Sequence, residues 1–253
     1  MSKIILTTAS VVALAACGQG SGAAQTESGD AGTSGDYTRA EIEEIVHDYI
    51  LENPEIIEEA LVELQARARD RERDAQSAAV QANSAALFED DRDPVIGDGP
   101  ITIVEFFDYN CGYCRLAGEW VQDTLDEHGD QVRFVYKEFP ILGRQSTEAS
   151  LAALAVWRTQ PDRYEAFHDA MISASGELPS ERIDSLAEDA GVDVEEMRAA
   201  MDDEAIQRHI ADVRGLARTL GVTGTPFFIV DGEVVPMADI EALNAALNSA
   251  LES

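Results

Sequence analysis

"FFDYNCGYCRLAG" (residues 106–118) sets Cys111 and Cys114 two residues apart at the end of a hydrophobic run. Upstream, "ITIVEFFDY" (residues 101–109) is β-branched and aromatic with little polar alternation, the pattern of a buried central strand. Downstream, Cys114, Ala117, Val121 and Leu125 recur at helical spacing. The two thiols therefore fall at a strand-to-helix junction, with Cys111 at the helix start. Unpaired backbone N–H groups and the helix dipole stabilise an anion there, so such thiols ionise at ~3.5–7.5 instead of about 8.5. Cys111 is expected to be the exposed nucleophile. Cys114, one turn on and facing inward, is expected to resolve the mixed disulfide.

Other uses of the pair fit less well. A tetrahedral zinc site needs four ligands, and His47, His128, His168 and His209 are scattered singly at no ligand spacing. A structural disulfide closing so short a loop adds little stability. A two-coordinate Cu(I) ion on the dithiol remains open, since soft thiolates suit that ion. No resident cofactor is expected.

The 253 residues allow one large domain or two modest ones, and 45% hydrophobic content suffices for an ordinary core. A formal charge of −31 repels nucleic acid and anionic headgroups, so neither is expected as a ligand. The same charge favours cationic, unfolded or basic client proteins, although a solvated acidic surface is the plainer reading.

Lys3 precedes an apolar run from Ile4 to Ala16, the length of a signal-peptide core and too short to span a bilayer. It ends in "LAAC" (Leu14–Cys17), which resembles a bacterial lipoprotein signal, with residues 1–17 as signal and Cys17 as the acylated residue. A secretory signal cut after Ala13-Leu14-Ala15 also fits. Both readings send the chain out of the cytoplasm, where disulfides persist. Residues 18–36, rich in glycine and serine, read as a flexible tether.

The next segment, residues 37–93, reads as helical. Thr38 and Glu41 make a capping-box signature, followed by Ile42, Ile45, Val46, Tyr49 and Ile50 at helical spacing. Asn53 and Pro54 open a second helix expected to run to about Phe88. Within it Ile57, Leu61, Leu64, Ala68, Ala75, Ala78 and Ala82 keep a heptad seam that Arg71 interrupts. A seam with no layer of its own should pack on a second copy of the chain, with packing on the next domain or a lone linker helix as the alternatives.

Residues 94–253 read as one α/β domain. After the first strand and helix come a second buried strand in "VRFVYKEF", a helical stretch over about 146–220, a hairpin turning at Asp231-Gly232, and a final amphipathic helix.

The "EFFDYNCGYC" junction together with the later "GTPFFIV" resembles the thioredoxin fold of the DsbA-like periplasmic thiol–disulfide oxidoreductases, helical insertion included, over about residues 95–253. The resemblance implies that Pro226 is the family's cis-proline beside the cysteines, leaving the Thr225 backbone free to pair with a client peptide. A trans proline opening an edge strand is the alternative. The Thr225 hydroxyl is expected to face the nucleophile's sulfur and offer it a weak hydrogen bond. Glu105 matches the acidic residue many relatives carry beneath the disulfide, where it passes protons to and from Cys114, unless it points outward. Gly112-Tyr113 is similar to the dipeptide of the DsbC isomerases, whereas strongly oxidising DsbA enzymes usually have Pro-His. The segment holding "YILENPEIIEEAL" is similar to the N-terminal region of ScsC-like proteins, some of which oligomerise through it. The resemblance thus implies a homo-oligomeric isomerase or reductase of unfolded or misoxidised secreted proteins, kept reduced by a membrane thiol–disulfide electron donor; the lipid anchor expected at Cys17 departs from the many relatives that are soluble. The alternatives are a DsbA-type dithiol oxidase and a Cu(I)-binding envelope stress protein.

Overall fold

A computed structural model describes residues 37–253; the signal segment, Cys17 and the tether lie outside the described residues. The chain divides into two compact units at Glu58–Glu59.

The first unit is built on α1 (Arg39–Glu52). Its N-terminus closes as the capping box requires: Thr38 Oγ1 accepts from the Glu41 amide at 3.3 Å, and Glu41 Oε2 accepts from the Thr38 amide at 2.8 Å. None of its residues is buried, and Ile42, Ile45, Val46 and Tyr49 are exposed along it. α2 (Glu55–Ala82) begins in this unit and ends in the next.

α2 does not run to Phe88 as its pattern suggests. It ends at Ala82, and the Asn83 side chain folds back to donate to Ala79 O at 2.8 Å. The short α3 (Ser84–Phe88) follows. The break lets Leu87 turn fully into the interior and presents two carbonyls to the sheet. Arg133 donates to Phe88 O at 2.9 Å and Lys137 Nζ to Ala86 O at 2.6 Å. Val80 and Leu87, from the segment read as N-terminal, belong to the core of the second unit.

That unit carries a five-stranded sheet of order β1-β3-β2-β4-β5. The strands are β1 (Val95–Ile96), β2 (Ile101–Phe107), β3 (Val132–Glu138), β4 (Phe227–Val230) and β5 (Glu233–Pro236). β2 and β3 run parallel; every other neighbouring pair is antiparallel. The two-residue β1 has too little pattern to be read from sequence. The β4–β5 turn has φ of 47° at Asp231 and 88° at Gly232, the left-handed pair that a two-residue hairpin needs.

Both faces of the sheet are covered, as its near-continuous apolar strands require. On one face Ile103, Phe107, Tyr136 and Phe228 pack against Cys114, Ala117 and Trp120 of α4 (Gly112–His128). The helical insertion joins that core: α5 (Arg144–Thr159), α6 (Tyr164–Ser173), α7 (Ser180–Asp189) and α8 (Val194–Ala200), with α10 (Ile240–Leu251) completing it. On the other face Val104, Phe106, Val135 and Ile229 pack with Val80, Leu87, and Val213 and Ala217 of α9 (Glu204–Thr219). Among the described residues no helix is long and apolar enough to cross a membrane.

Candidate active site

Cys111 is the residue before the first turn of α4, with extended backbone (φ −84°, ψ 117°), and Cys114 lies one turn in. Cys114 is wholly buried, and Cys111, expected to be exposed, keeps only 7% of its surface. The opening is narrow because the loop carrying Thr225 lies against the sulfur: in its thiol form Cys111 Sγ donates to Thr225 O at 3.3 Å. The Thr225–Pro226 peptide is cis, and Pro226 is buried. Thr225 meets the sulfur through its backbone carbonyl, and a hydrogen bond from its side chain helps to lower the Cys111 thiol.

The two sulfurs differ in charge state. A hydrogen bond from Cys114 pulls Cys111 down to about 5, against the opposing effect of partial burial, with further help from Thr225 and the amides of Cys114 and Tyr113. Burial pushes Cys114 well above the ordinary thiol range, and the hydrogen bond it gives Cys111 pushes the same way. At neutral pH Cys111 is a thiolate and Cys114 holds its proton.

Glu105 points inward from β2, with Tyr136 and Phe228 as its cross-strand neighbours, on the sheet face that carries α4. It is buried, and no cation pairs with it among the described residues. Burial first, then the Cys111 charge, raises its carboxyl to about 8. A group titrating there can take the Cys114 proton as the disulfide forms and return it on reduction.

The loop before Cys111 is pinned residue by residue, which the sequence pattern alone does not reveal. Asp108 accepts from the Asn110 amide at 2.9 Å and from the amides of Ile141 and Leu142 at 2.8 and 2.9 Å. The Tyr109 hydroxyl lies 2.8 Å from His168 Nδ1 and 3.2 Å from Glu138 Oε1. Asn110 Nδ2 donates to Ser146 Oγ at 3.1 Å. Burial pushes Glu138 well above the ordinary carboxylate range and His168 down to about 3, so His168 is neutral at pH 7. Tyr109 donates its hydroxyl proton to Glu138, and its oxygen also faces His168 Nδ1. The one available signal was a charged pair, Lys137-Glu138, inside a strand otherwise read as buried. Among the described residues no group of three or more His, Cys, Asp or Glu side chains is placed to hold a metal ion.

A thioredoxin-type sheet, a dithiol at a helix start and a cis-proline against the nucleophile define a thiol–disulfide oxidoreductase site. The chain belongs to the family of the DSBA-like thioredoxin domain, which matches residues 102–248. Residues 39–71 match the copper resistance protein ScsC N-terminal domain. A linker-deletion mutant of ScsC from Proteus mirabilis is 25% identical, with a TM-score of 0.65 over 87% of this chain and 99% of that one. A thioredoxin-like oxidoreductase from Silicibacter pomeroyi DSS-3 is 40% identical, with a TM-score of 0.62 over 68% of this chain and 99% of that one. Disulfide bond formation protein D of Bacillus subtilis (strain 168) is 24% identical over 172 residues, 63% of this chain and 77% of that one. The chain spans only 25% of the length of other curated relatives it matches, sodium–proton antiporters of Salinispora.

Proposed function

We propose that the protein is a thiol–disulfide isomerase or reductase of the bacterial periplasm, acting through Cys111 and Cys114 on unfolded or misoxidised secreted proteins. The Cys111 thiolate attacks one sulfur of a client disulfide, and the client's S–S bond breaks as its second sulfur leaves as a thiolate. In isomerisation another client thiolate displaces Cys111, so a new client disulfide forms with no net oxidation. In reduction Cys114 gives its proton to Glu105 and attacks the Cys111 sulfur, releasing the client thiolate and leaving a Cys111–Cys114 disulfide. A membrane thiol–disulfide donor then returns two electrons, and an acylated Cys17 holds the protein near it.

The observation that carries the isomerase reading is the exposure of apolar side chains on α1, at Ile42, Ile45, Val46 and Tyr49, and on the first half of α2, at Leu61 and Leu64. It supports self-association, which places more than one dithiol within reach of a mispaired client. A second reading, a dithiol oxidase, is favoured by the Cys111 thiolate at about 5, since a stabilised thiolate makes the disulfide more oxidising. Refolding of a scrambled multi-disulfide substrate by the reduced protein, compared with oxidation of a reduced substrate by the disulfide form, separates them. Faster unscrambling supports isomerisation, and oxidation alone assigns the protein as an oxidase.

A further inference from the structure

α2 has a second face besides its apolar stripe. Near its C-terminal half it supplies one wall of a groove of about 570 Å³. The floor of the groove is Phe227 of β4 with Val234 and Pro236 of β5. One end is the loop reaching Thr225, whose carbonyl accepts the Cys111 thiol, and Met237, 70% exposed, stands at the rim. The wall carries Arg69 and Arg73, both exposed, with Glu72 and Gln76 between and beyond them.

Those arginines are out of keeping with the rest of the chain. The protein has a formal charge of −31, yet Arg67, Arg69, Arg71 and Arg73 fall within seven residues. Arg69 makes no ion pair among the described residues, and Arg73 makes one exposed contact with Asp70 at 3.5 Å. Glu72 and the Asp70 beside Arg73 balance the two arginines in number, which leaves Arg69 as the wall's unpaired cation among the described residues. The field of the whole molecule draws basic clients from a distance, but salt screens it beyond roughly 8 Å. Inside the groove the nearest charges decide.

We propose that this groove receives an extended client segment, and that Arg69 and Arg73 select one carrying an acidic side chain near the cysteine undergoing exchange. The apolar floor holds the segment while its cysteine faces Cys111. The guanidinium groups offer forked donors to a carboxylate, the geometry Arg is suited to. The inference rests on the thiol-exchange reading of the site and adds the chemistry of its substrate.

The test uses the reduced full-length protein and a series of peptides, each bearing one cysteine as a mixed disulfide with a small thiol. The peptides differ only in Asp, Asn or Lys placed two to four residues from that cysteine. Two partly exposed Arg–carboxylate contacts correspond to about a threefold to tenfold faster attack on the Asp peptide than on the Lys peptide at low salt. The R69E/R73E double variant should reverse that order, and R69Q/R73Q should flatten it. Neutral hydroxyethyl disulfide, too small to reach α2, should react equally with all three proteins. Identical peptide rankings in wild type and R69E/R73E, or no ranking in wild type, overturn the assignment. A uniform loss across all peptides also overturns it, because that marks the arginines as structural. Failure of wild type to react even with hydroxyethyl disulfide overturns the oxidoreductase reading itself, and the groove's role falls with it.

Discussion

Cys111 and Cys114 bear the same side chain, and a single helical turn separates their chemistry. The low-lying thiolate is the one with residual surface, and the high-lying thiol has none. Iodoacetamide at pH 6 should therefore label Cys111 of the reduced protein at least about tenfold faster than Cys114, read by peptide mass mapping. Equal labelling would reverse the assignment of roles. Glu105 gives a second prediction with a defined sign. Its carboxyl titrates near 8 in the folded protein against an ordinary value of 4.5. Below pH 4.5 it is protonated folded or unfolded and has no effect. Between 4.5 and 8 the unfolded chain releases the proton while the folded one keeps it, so stability falls with rising pH, by the full amount above 8. Glu105→Gln removes this slope, and denaturant melts should show a gain that is near zero at pH 4 and reaches up to about 3 kcal/mol at pH 7. The same substitution should slow resolution of a trapped mixed disulfide, because glutamine cannot accept the Cys114 proton. Both cysteines and Glu105 were legible in the sequence, since a lone carboxylate in an apolar run and a C-x-x-C at a strand's end are local signals. Tyr109 with Glu138 and His168 was not, because these partners lie 29 and 59 residues away and meet only through the fold.

At the scale of the elements, β2, β3, the β4–β5 hairpin and α10 are visible from periodicity and turn chemistry, because each is long or ends on a strong signal. β1 is too short to show a period. The end of α2 misleads because its alanines continue the helical pattern past Asn83, while burial of Leu87 and the bonds from β3 decide where the helix stops. That junction carries a buried charge network. Lys137 of β3 pairs with Asp93, both fully buried, and His209 Nε2 of α9 lies 2.9 Å from the same carboxylate. Burial lowers the Lys137 ammonium, and Asp93 is its chief opposing support. Lys137→Met takes the ammonium partner from the enclosed Asp93 carboxyl, so urea unfolding should show a loss of about 3–5 kcal/mol. Adding Asp93→Asn should restore most of it, which separates an orphaned carboxyl from a simple packing defect.

For the whole molecule, composition sets an expectation about ligand class and cannot place the division between units. Val80 of α2 and Leu87 of α3 pack with the sheet inside the second unit, a burial that the pattern of those helices does not show. A chain beginning at residue 65 loses those exposed apolar side chains of α1 and α2 and keeps Val80, Leu87, the dithiol and the groove wall. It should be monomeric by light scattering where the chain from residue 37 is oligomeric. It should also react with small disulfides at an unchanged rate and lose most of its ability to unscramble a multi-disulfide protein. A monomeric longer chain would remove the basis for the isomerase reading.

The run of arginines in α2 has a consequence for how the protein can be taken apart. Arg67, Arg69, Arg71 and Arg73 are exposed, and Val80 is the one buried residue in that helix, so opening the helix ahead of it breaks few contacts. Trypsin cleaves after arginine, so brief digestion of the native protein should cut here first and leave a resistant C-terminal piece starting between residues 68 and 74. Such a nick spares the thiols. An extracytoplasmic protease with the same preference would turn off client choice and assembly in one event, while the fragment left behind could still exchange disulfides with anything small enough to reach its sulfur.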